Sequence, residues 1–318
     1  MGLYAVKRLG AMLVILVIMS ILVFLATHAL PANTAAMILG QYSTPETQKA
    51  LEHKLGLDLP LAVQYWNWAS LVLQGDLGQS LVMERPIAPM LWDAFGKSAI
   101  LAVTAMAVVA IVGPALGVIA AVRSGQWPDH AASIFTYLGI SVPEFYWGLV
   151  LILVFGGTLH LLPTAGAGEA GAGLLDLIAH LILPVITLTL TLLAHVARLT
   201  RSSMLEELQS TYVKVARARG MPERIVICRH ALRNALLPTI TVLAQDFGFM
   251  IGGIVAVETI FAYPGLGRLL IHSLERQDLP LMQAAILVLT AVYCLANLAA
   301  DLLYGVANPR IRYGGAVD

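Results

Sequence analysis

The stretch YVKVARARGMPERIVICRHALRNALLP, Tyr212 to Pro238, carries Lys214, Arg217, Arg219, Arg224, Arg229 and Arg233 against one acid, Glu223, in a chain that is 58% hydrophobic. Good helix formers from Tyr212 to Arg219 are followed by Gly220, a natural stop, and Met221, Pro222 and Glu223 restart a helix with proline near its first position. The spacing predicts a helix, a turn and a second helix lying on the membrane surface, with Pro238 entering the bilayer. On the first helix Val213, Ala216 and Gly220 share one face, while Lys214, Arg217 and Arg219 point elsewhere. A narrow face of small residues beside cations suits insertion into a groove on a protein partner. Attraction to anionic lipid would need only charge, not a glycine-broken pair of helices.

The surroundings of this segment belong in lipid. Charged residues make up 12% of the 318 positions and the mean hydropathy is +0.81, which excludes a soluble domain with a solvated surface. Apolar runs at 9–30, 98–122, 133–161, 179–198, 237–257 and 283–306 each approach or exceed the roughly 20 residues that cross a bilayer as a helix. The first is too long for a secretory signal core and reads as a retained span. Six spans with both termini in the cytoplasm place Lys7, Arg8, Arg123, Arg198, Arg201, the basic segment, Arg310 and Arg312 inside, as the enrichment of cytoplasmic loops in Lys and Arg requires. The formal net charge of zero hides that asymmetry. The chain divides into an N-terminal span, 1–30; an external region with short helices, 31–97; a five-helix core, 98–308, containing the basic segment 201–236; and a cytoplasmic tail, 309–318.

In the external region Thr44, Pro45 and Glu46 start a helix that runs to about Leu55 and stops at Gly56. Tyr65, Trp66 and Trp68 read as an aromatic cluster seeking the headgroup level. Gly113 with Gly117, and Gly248 with Gly252, have the small-xxx-small spacing that admits close helix approach, within the chain or in a dimer. Pro143 should kink the long third span. Beside it Glu144, and in the fifth span Asp246, are acids at a depth where a carboxylate lines a pathway or has a buried partner.

Catalytic and metal-binding patterns do not emerge. Gly96, Lys97 and Ser98 give the GKS of a nucleotide loop, but Leu91 stands where the required leading glycine would be, so Lys97 reads as an interfacial residue with its head in water. Neither H-E-x-x-H nor G-x-S-x-G occurs, and His28, His180 and His195 are dispersed, as packing or interfacial residues would be. Cys228 and Cys294 imply neither disulfide nor metal. The expectation is a chain with no catalytic residue, no metal and no nucleic-acid partner.

The basic segment resembles the cytoplasmic loop of permease subunits of ATP-binding-cassette importers, in the dipeptide, oligopeptide and nickel branch. The family loop reads approximately E-A-A-x-x-x-G, followed by a second helix and Leu-Pro. Ala216 and Gly220 match its second Ala and its Gly, Leu237 and Pro238 match its ending, and Lys214 and Val215 depart from it. LGLDLPLAVQYWNW, GDLGQS, SVPEFYWGL, ARLTRSSMLE, GGIVAVETIFAYPGLGRLL and NPRIRYG are similar to the same branch, in order along the chain. LPANTA after the first span and Asn308 depart from it.

The resemblance implies an all-α integral membrane protein with the type I importer permease fold, multi-pass in a bacterial or archaeal cytoplasmic membrane. It makes Tyr212, Val213, Ala216, Arg217, Ala218, Arg219 and Gly220, with Arg229 and His230 behind them, the ATPase-coupling segment. The depth of Glu144 and Asp246 in the spans makes them the candidate translocation-pathway residues, and the resemblance points to Glu258, Pro264, Gly265 and Gly267 for docking of a delivery protein. The implied partners are a homologous second permease, two ABC ATPase subunits, an extracytoplasmic substrate-binding protein and membrane lipid. ATP and Mg would sit on the ATPases, with no cofactor on this chain. Di- or oligopeptides are the expected cargo, with nickel or a metal chelate as the alternative. An ion-coupled secondary transporter, with Glu144 and Asp246 as a proton relay, is the competing reading from another class.

Overall fold

The computed structural model describes residues 2–29, 44–56, 58–168, 171 and 173–307. The tail motif NPRIRYG with Arg310 and Arg312, and the LPANTA departure, lie outside the described residues. Described secondary structure is helical apart from turns and one isolated bridge between Gln79 and Pro86. In chain order the helices are α1 (Gly2–Ala29), α2 (Pro45–Leu55), α3 (Leu61–Leu73), α4 (Ile87–Val122), α5 (Trp127–Ser141), α6 (Glu144–Thr158), α7 (Leu174–Gln209), α8 (Thr211–Ala218), α9 (Glu223–Ile260), α10 (Leu266–Glu275) and α11 (Leu279–Ala307).

Five of these helices are long and apolar enough to cross a membrane, and the count reaches the expected six if the bent pair α5 and α6 crosses as one span. The break there is sharper than a proline kink: the two helices meet at 106°. Val142 is extended (φ −102°, ψ 127°), as expected of the residue preceding proline, and Pro143 (φ −56°, ψ 141°) begins a new helix instead of bending the old one. α4 and α7 each have 36 residues, about 54 Å at 1.5 Å per residue, and overshoot the roughly 30 Å hydrocarbon layer that set the sequence-based limits. The GKS triplet lies inside α4 with no loop to cradle a phosphate, and Lys97 Nζ bonds Asp93 Oδ2 one turn back at 2.7 Å.

The described residues form two compact units, each delimited by ranges of the chain. One comprises residues 7–97 and 264–294. Its core gathers Ile87, Leu91 and Ala94 of α4 with Leu266 of α10 and Leu281, Ala284 and Ala285 of α11. Asp278, buried just before α11, accepts from the Ser80 hydroxyl and, at 3.3 Å each, from the Leu81, Val82 and Leu281 amides. It thereby satisfies a helix N-terminus and the preceding turn with one side chain. Tyr65 and Trp68 lie on the same face of α3, three residues apart, and pack on Phe24 of α1 with ring centroids 5.5 and 5.7 Å away. Only Trp66 points outward, so two of the three expected interface rings are internal contacts. α2 has the expected limits: Thr44 Oγ1 accepts the Thr47 amide at 3.2 Å, and Gly56 closes the helix at φ +68°.

The other unit comprises 1–6, 98–263 and 295–318, and its core joins α4, α7 and α9 through Leu101, Val109, Leu188, Val196, Met250 and Val257 among others. Here the Gly113 and Gly117 spacing finds its use within the chain, while of the second pair only Gly248 is packed and Gly252 is exposed with nothing within 4 Å of an added methyl group. A methyl group at Gly117 would stand 2.6 Å from the Ala197 carbonyl oxygen and the Thr200 Cβ, and one at Gly113 would stand 2.7 Å from Val196 Cγ1, so α4 approaches α7 at a distance only glycine permits. Gly248 plays the same part against Asn297 of α11.

Candidate functional site

The basic segment folds as a short helix held on its own chain. α8 has eight residues, too few to be helical alone, so its stability comes from contacts. Val213 and Ala216 are buried in an apolar cluster with Ala121, Met204, Val226, Ala231 and Ala235. That corrects the face assignment made from the sequence: the small-residue face is the anchor, and its side chains do not reach a partner. The exposed face carries Lys214, Val215, Ala218 and Arg219 instead.

Polar contacts fix the ends of α8. The Tyr212 hydroxyl donates to Glu207 at the end of α7 and accepts from Asn234 Nδ2 of α9 at 3.1 Å. Burial and the neighbouring Glu207 carboxylate raise the Tyr212 pKa, so the phenol keeps its proton. Arg217 is engaged as well, with Nη2 2.5 Å from Glu223 Oε1 and Nη1 3.3 Å from the Leu208 carbonyl oxygen. Gly220 (φ +74°) ends the helix, with the Met221 amide bonded to the Ala216 carbonyl at 3.3 Å. The second helix does not lie on the surface. From Glu223 it runs through a π-helical stretch, Val226–Ala231, that carries Arg229 and His230, and continues through Pro238 to Ile260.

Because Gly220 occupies a left-handed conformation with open space around its Cα, Gly220→Val fails through backbone strain, not through a clash. A cost of about 1–2 kcal/mol at the helix end is expected. The end of α8 should fray, seen as faster trypsin cleavage at Arg217 and Arg219, with normal amounts of the chain in the membrane. Unchanged cleavage would show that the position tolerates a β-branched residue.

The pathway acids are placed differently from one another. Glu144, half-buried in the first turn of α6, lies so close to Gly253 of α9 that a side chain at that position would overlap its carboxylate. Asp246 is buried and pairs with His195, Nδ1 to Oδ1 at 3.2 Å, so the buried acid has a partner on another helix. His195 is the exposed member of the pair.

The docking set fares less well. Glu258 is fully buried, accepting a hydrogen bond from Ser98, and Gly265 and Gly267 are buried too, so none of the three offers a docking surface. Burial follows from packing, which a turn motif does not encode. Pro264 is half-exposed, at a cavity of about 350 Å³ lined by Met83, Met90, Asp93, Arg268, Leu269 and His272.

One contact escaped the sequence reading. Asp129 at the start of α5 is buried and takes Arg201 of α7 in a two-pronged ion pair, Nε to Oδ1 at 2.5 Å and Nη2 to Oδ2 at 2.9 Å, while the Gly125 amide donates to Oδ2 at 2.9 Å. The signal available was Trp127-Pro128-Asp129 after Gly125, a helix start with an acid in its first turn. Among the described residues no group of three or more His, Cys, Asp or Glu side chains could hold a metal ion.

Comparison with known proteins places this arrangement. Residues 113–313 match the model of the binding-protein-dependent transport system inner membrane component, and residues 1–107 match that of its N-terminal part. The chain is 42% identical over 310 residues to the glutathione transport system permease protein GsiC of Escherichia coli O6:H1 (strain CFT073), covering 98% of this chain and 99% of that one. It is 41% identical, with the same coverage, to the proteins of that name from Escherichia coli K12 and Shigella dysenteriae. A solved amino acid ABC transporter with histidines aligns over 70% of this chain and 94% of its own, at TM-score 0.50 and 17% identity, a likeness of fold alone. The chain therefore belongs to the binding-protein-dependent transport system inner membrane component family, as a multi-pass inner-membrane permease of an ABC importer, neither an enzyme nor an ion-coupled secondary transporter.

Proposed function

We propose that this permease imports small peptides, tripeptides of the glutathione type among them, together with a homologous second permease, two ABC ATPase subunits that hold ATP and Mg, and an extracytoplasmic binding protein. The observation that carries the reading is α8. It is locked to α7 and α9 by Val213, Ala216, Tyr212 and Arg217, and it turns Lys214, Val215, Ala218 and Arg219 outward. A short helix rigidly joined to two spans can carry a push from an ATPase into the membrane, where a free loop would absorb it. Both termini lie in the cytoplasm on this reading, since the basic residues at the ends of α7 and α9 must face the ATPases. The binding protein docks near Pro264 and its cavity. Peptide cargo is supported by the full-length likeness to glutathione permeases. Nickel or a metal chelate is the runner-up.

The test is purification of the tagged chain with its neighbouring gene products, then ATPase assay with the binding protein and glutathione, dipeptides or a nickel chelate. Stimulation by peptides is expected. Stimulation by the chelate alone would transfer the reading to metal import, and failure to recover any ATPase would overturn the role of α8.

A further inference from the structure

Three of the apolar runs have an end in one place. Those of α4 and α7 close at 122 and 198, and that of α5 opens at 133. Beside these ends a cleft of about 50 Å³ lies between residues 116–120 of α4, 132–137 of α5 and 197–201 of α7, all within one compact unit. The last apolar and first polar residues of three spans line it, which is the level where hydrocarbon gives way to headgroups. Its surroundings are those of a lipid-facing surface: Ile119 of α4 and Ile134 and Leu138 of α5 are exposed. Trp127, exposed at the start of α5, is a ring of the kind that settles at the headgroup level.

The polar lining consists of donors. Arg198 is exposed and makes no hydrogen bond or ion pair among the described residues. Arg201, three residues on and on the same face of α7, gives Nε and Nη2 to Asp129, which fixes the guanidinium and leaves Nη1 unengaged among the described residues. The hydroxyls of Ser133 and Tyr137 make no hydrogen bond among the described residues, and Tyr137 is near enough to Arg201 to interact with its charge. No carboxylate lines the cleft, since Asp129 is buried behind Arg201 and paired with it. Because Arg201 is neutralised in this way, Arg198 and the exposed Arg123 in the turn after α4 supply the excess positive charge. A water needs about 10–15 Å³ of such space, so the cleft takes a group of about three to five heavy atoms and excludes a whole peptide. Guanidinium donors around a space of that size suit a phosphate, which accepts their parallel N–H bonds.

We propose that this cleft binds the phosphate of an anionic phospholipid. Arg198 and Arg201 Nη1 donate to its oxygens, Ser133 and Tyr137 complete the set, and the acyl chains lie along Ile119, Ile134 and Leu138. Asp129 is the positioning residue, since it holds Arg201. A free phosphate shares the chemistry of the head but leaves those apolar side chains uncovered. Nothing in the assignment depends on the cargo.

The experiment titrates the detergent-purified full chain with phosphatidylglycerol, phosphatidylcholine and inorganic phosphate, and reads the dissociation constant of the first lipid adduct by native mass spectrometry. The parent should bind phosphatidylglycerol about fivefold more tightly than phosphatidylcholine. Arg198→Gln, at an exposed site that strands no partner, should weaken phosphatidylglycerol about fivefold and phosphatidylcholine less. Arg198→Lys should restore most of the loss, and Tyr137→Phe should weaken both lipids about twofold. Equal affinity of the parent for the two lipids, or an Arg198→Gln chain with the parent's affinity, overturns the site. Displacement of the lipid by inorganic phosphate as readily as by short-chain phosphatidylglycerol would give the cleft to a free anion and overturn the lipid. Repeated on the assembled importer, Arg198→Gln should show the same loss; no loss there would mean that the second permease covers the cleft, which overturns its role in the importer.

Discussion

Val213→Asp should leave the chain in the membrane and abolish ATP-coupled uptake. Val213 is fully buried under α8, among Ala121, Met204, Val226, Ala231 and Ala235, none of which can pair with a carboxylate. An aspartate there is either an unpaired charge or a neutral acid with an unsatisfied hydroxyl, at a cost of several kcal/mol. Eight residues cannot remain helical without that anchor, so α8 should detach while the spans, whose cores lie elsewhere, persist. The expected readings are loss of ATPase subunits from the purified complex, at least tenfold lower uptake, and faster trypsin cleavage at Arg217 and Arg219. Val213→Ala, which removes two methyl groups and adds no polarity, should show a much milder defect. Full uptake by Val213→Asp with slow cleavage would mean that the apolar cluster does not hold α8.

Asp129→Ala should produce the second large loss, this time in stability. Arg201 is about a third exposed, while Asp129 is almost entirely enclosed and is the acceptor for two of the three guanidinium nitrogens, Nε and Nη2, and for the Gly125 amide. Removing one partner of such a pair strands the other, and breaking a buried pair costs about 3–5 kcal/mol. Partial exposure of Arg201 places this case at the lower end. The thermal midpoint of the detergent-purified chain should fall by several degrees. Combining Asp129→Ala with Arg201→Met should recover part of that loss, because the stranded charge is gone. Losses that simply add in the double variant would argue that the pair is no more than a surface contact.

Much of the architecture was legible because its causes are local. Apolar length marked the spans; Thr44 and Gly56 bounded α2; Gly220 ended α8 at a positive φ; and Pro143 interrupted the third span, since proline removes a donor and drives Val142 extended. These are properties of a few consecutive residues, and no distant contact overrode them. The two overlong helices α4 and α7 exceeded their sequence limits because a hydropathy window stops at the first charges, while a helix supported by neighbours continues through them.

What a side chain does once the helices are assembled was not local. The periodicity of α8 identified Val213 and Ala216 as one face, but a small apolar face is equally satisfied by the same chain or by a partner, and packing chose the former. Asp246 was marked as an acid out of place, yet its partner His195 lies on another helix, as Arg201 does for Asp129 and Ser98 for Glu258. The sequence by itself determined which segments are helices, where they stop and which polar groups are anomalous, because those follow from backbone geometry and the length of apolar runs. Only the tertiary structure decided which anomalies meet, which are buried and which face outward, because a buried polar group is stabilised by whatever donor the packing of distant segments brings to it.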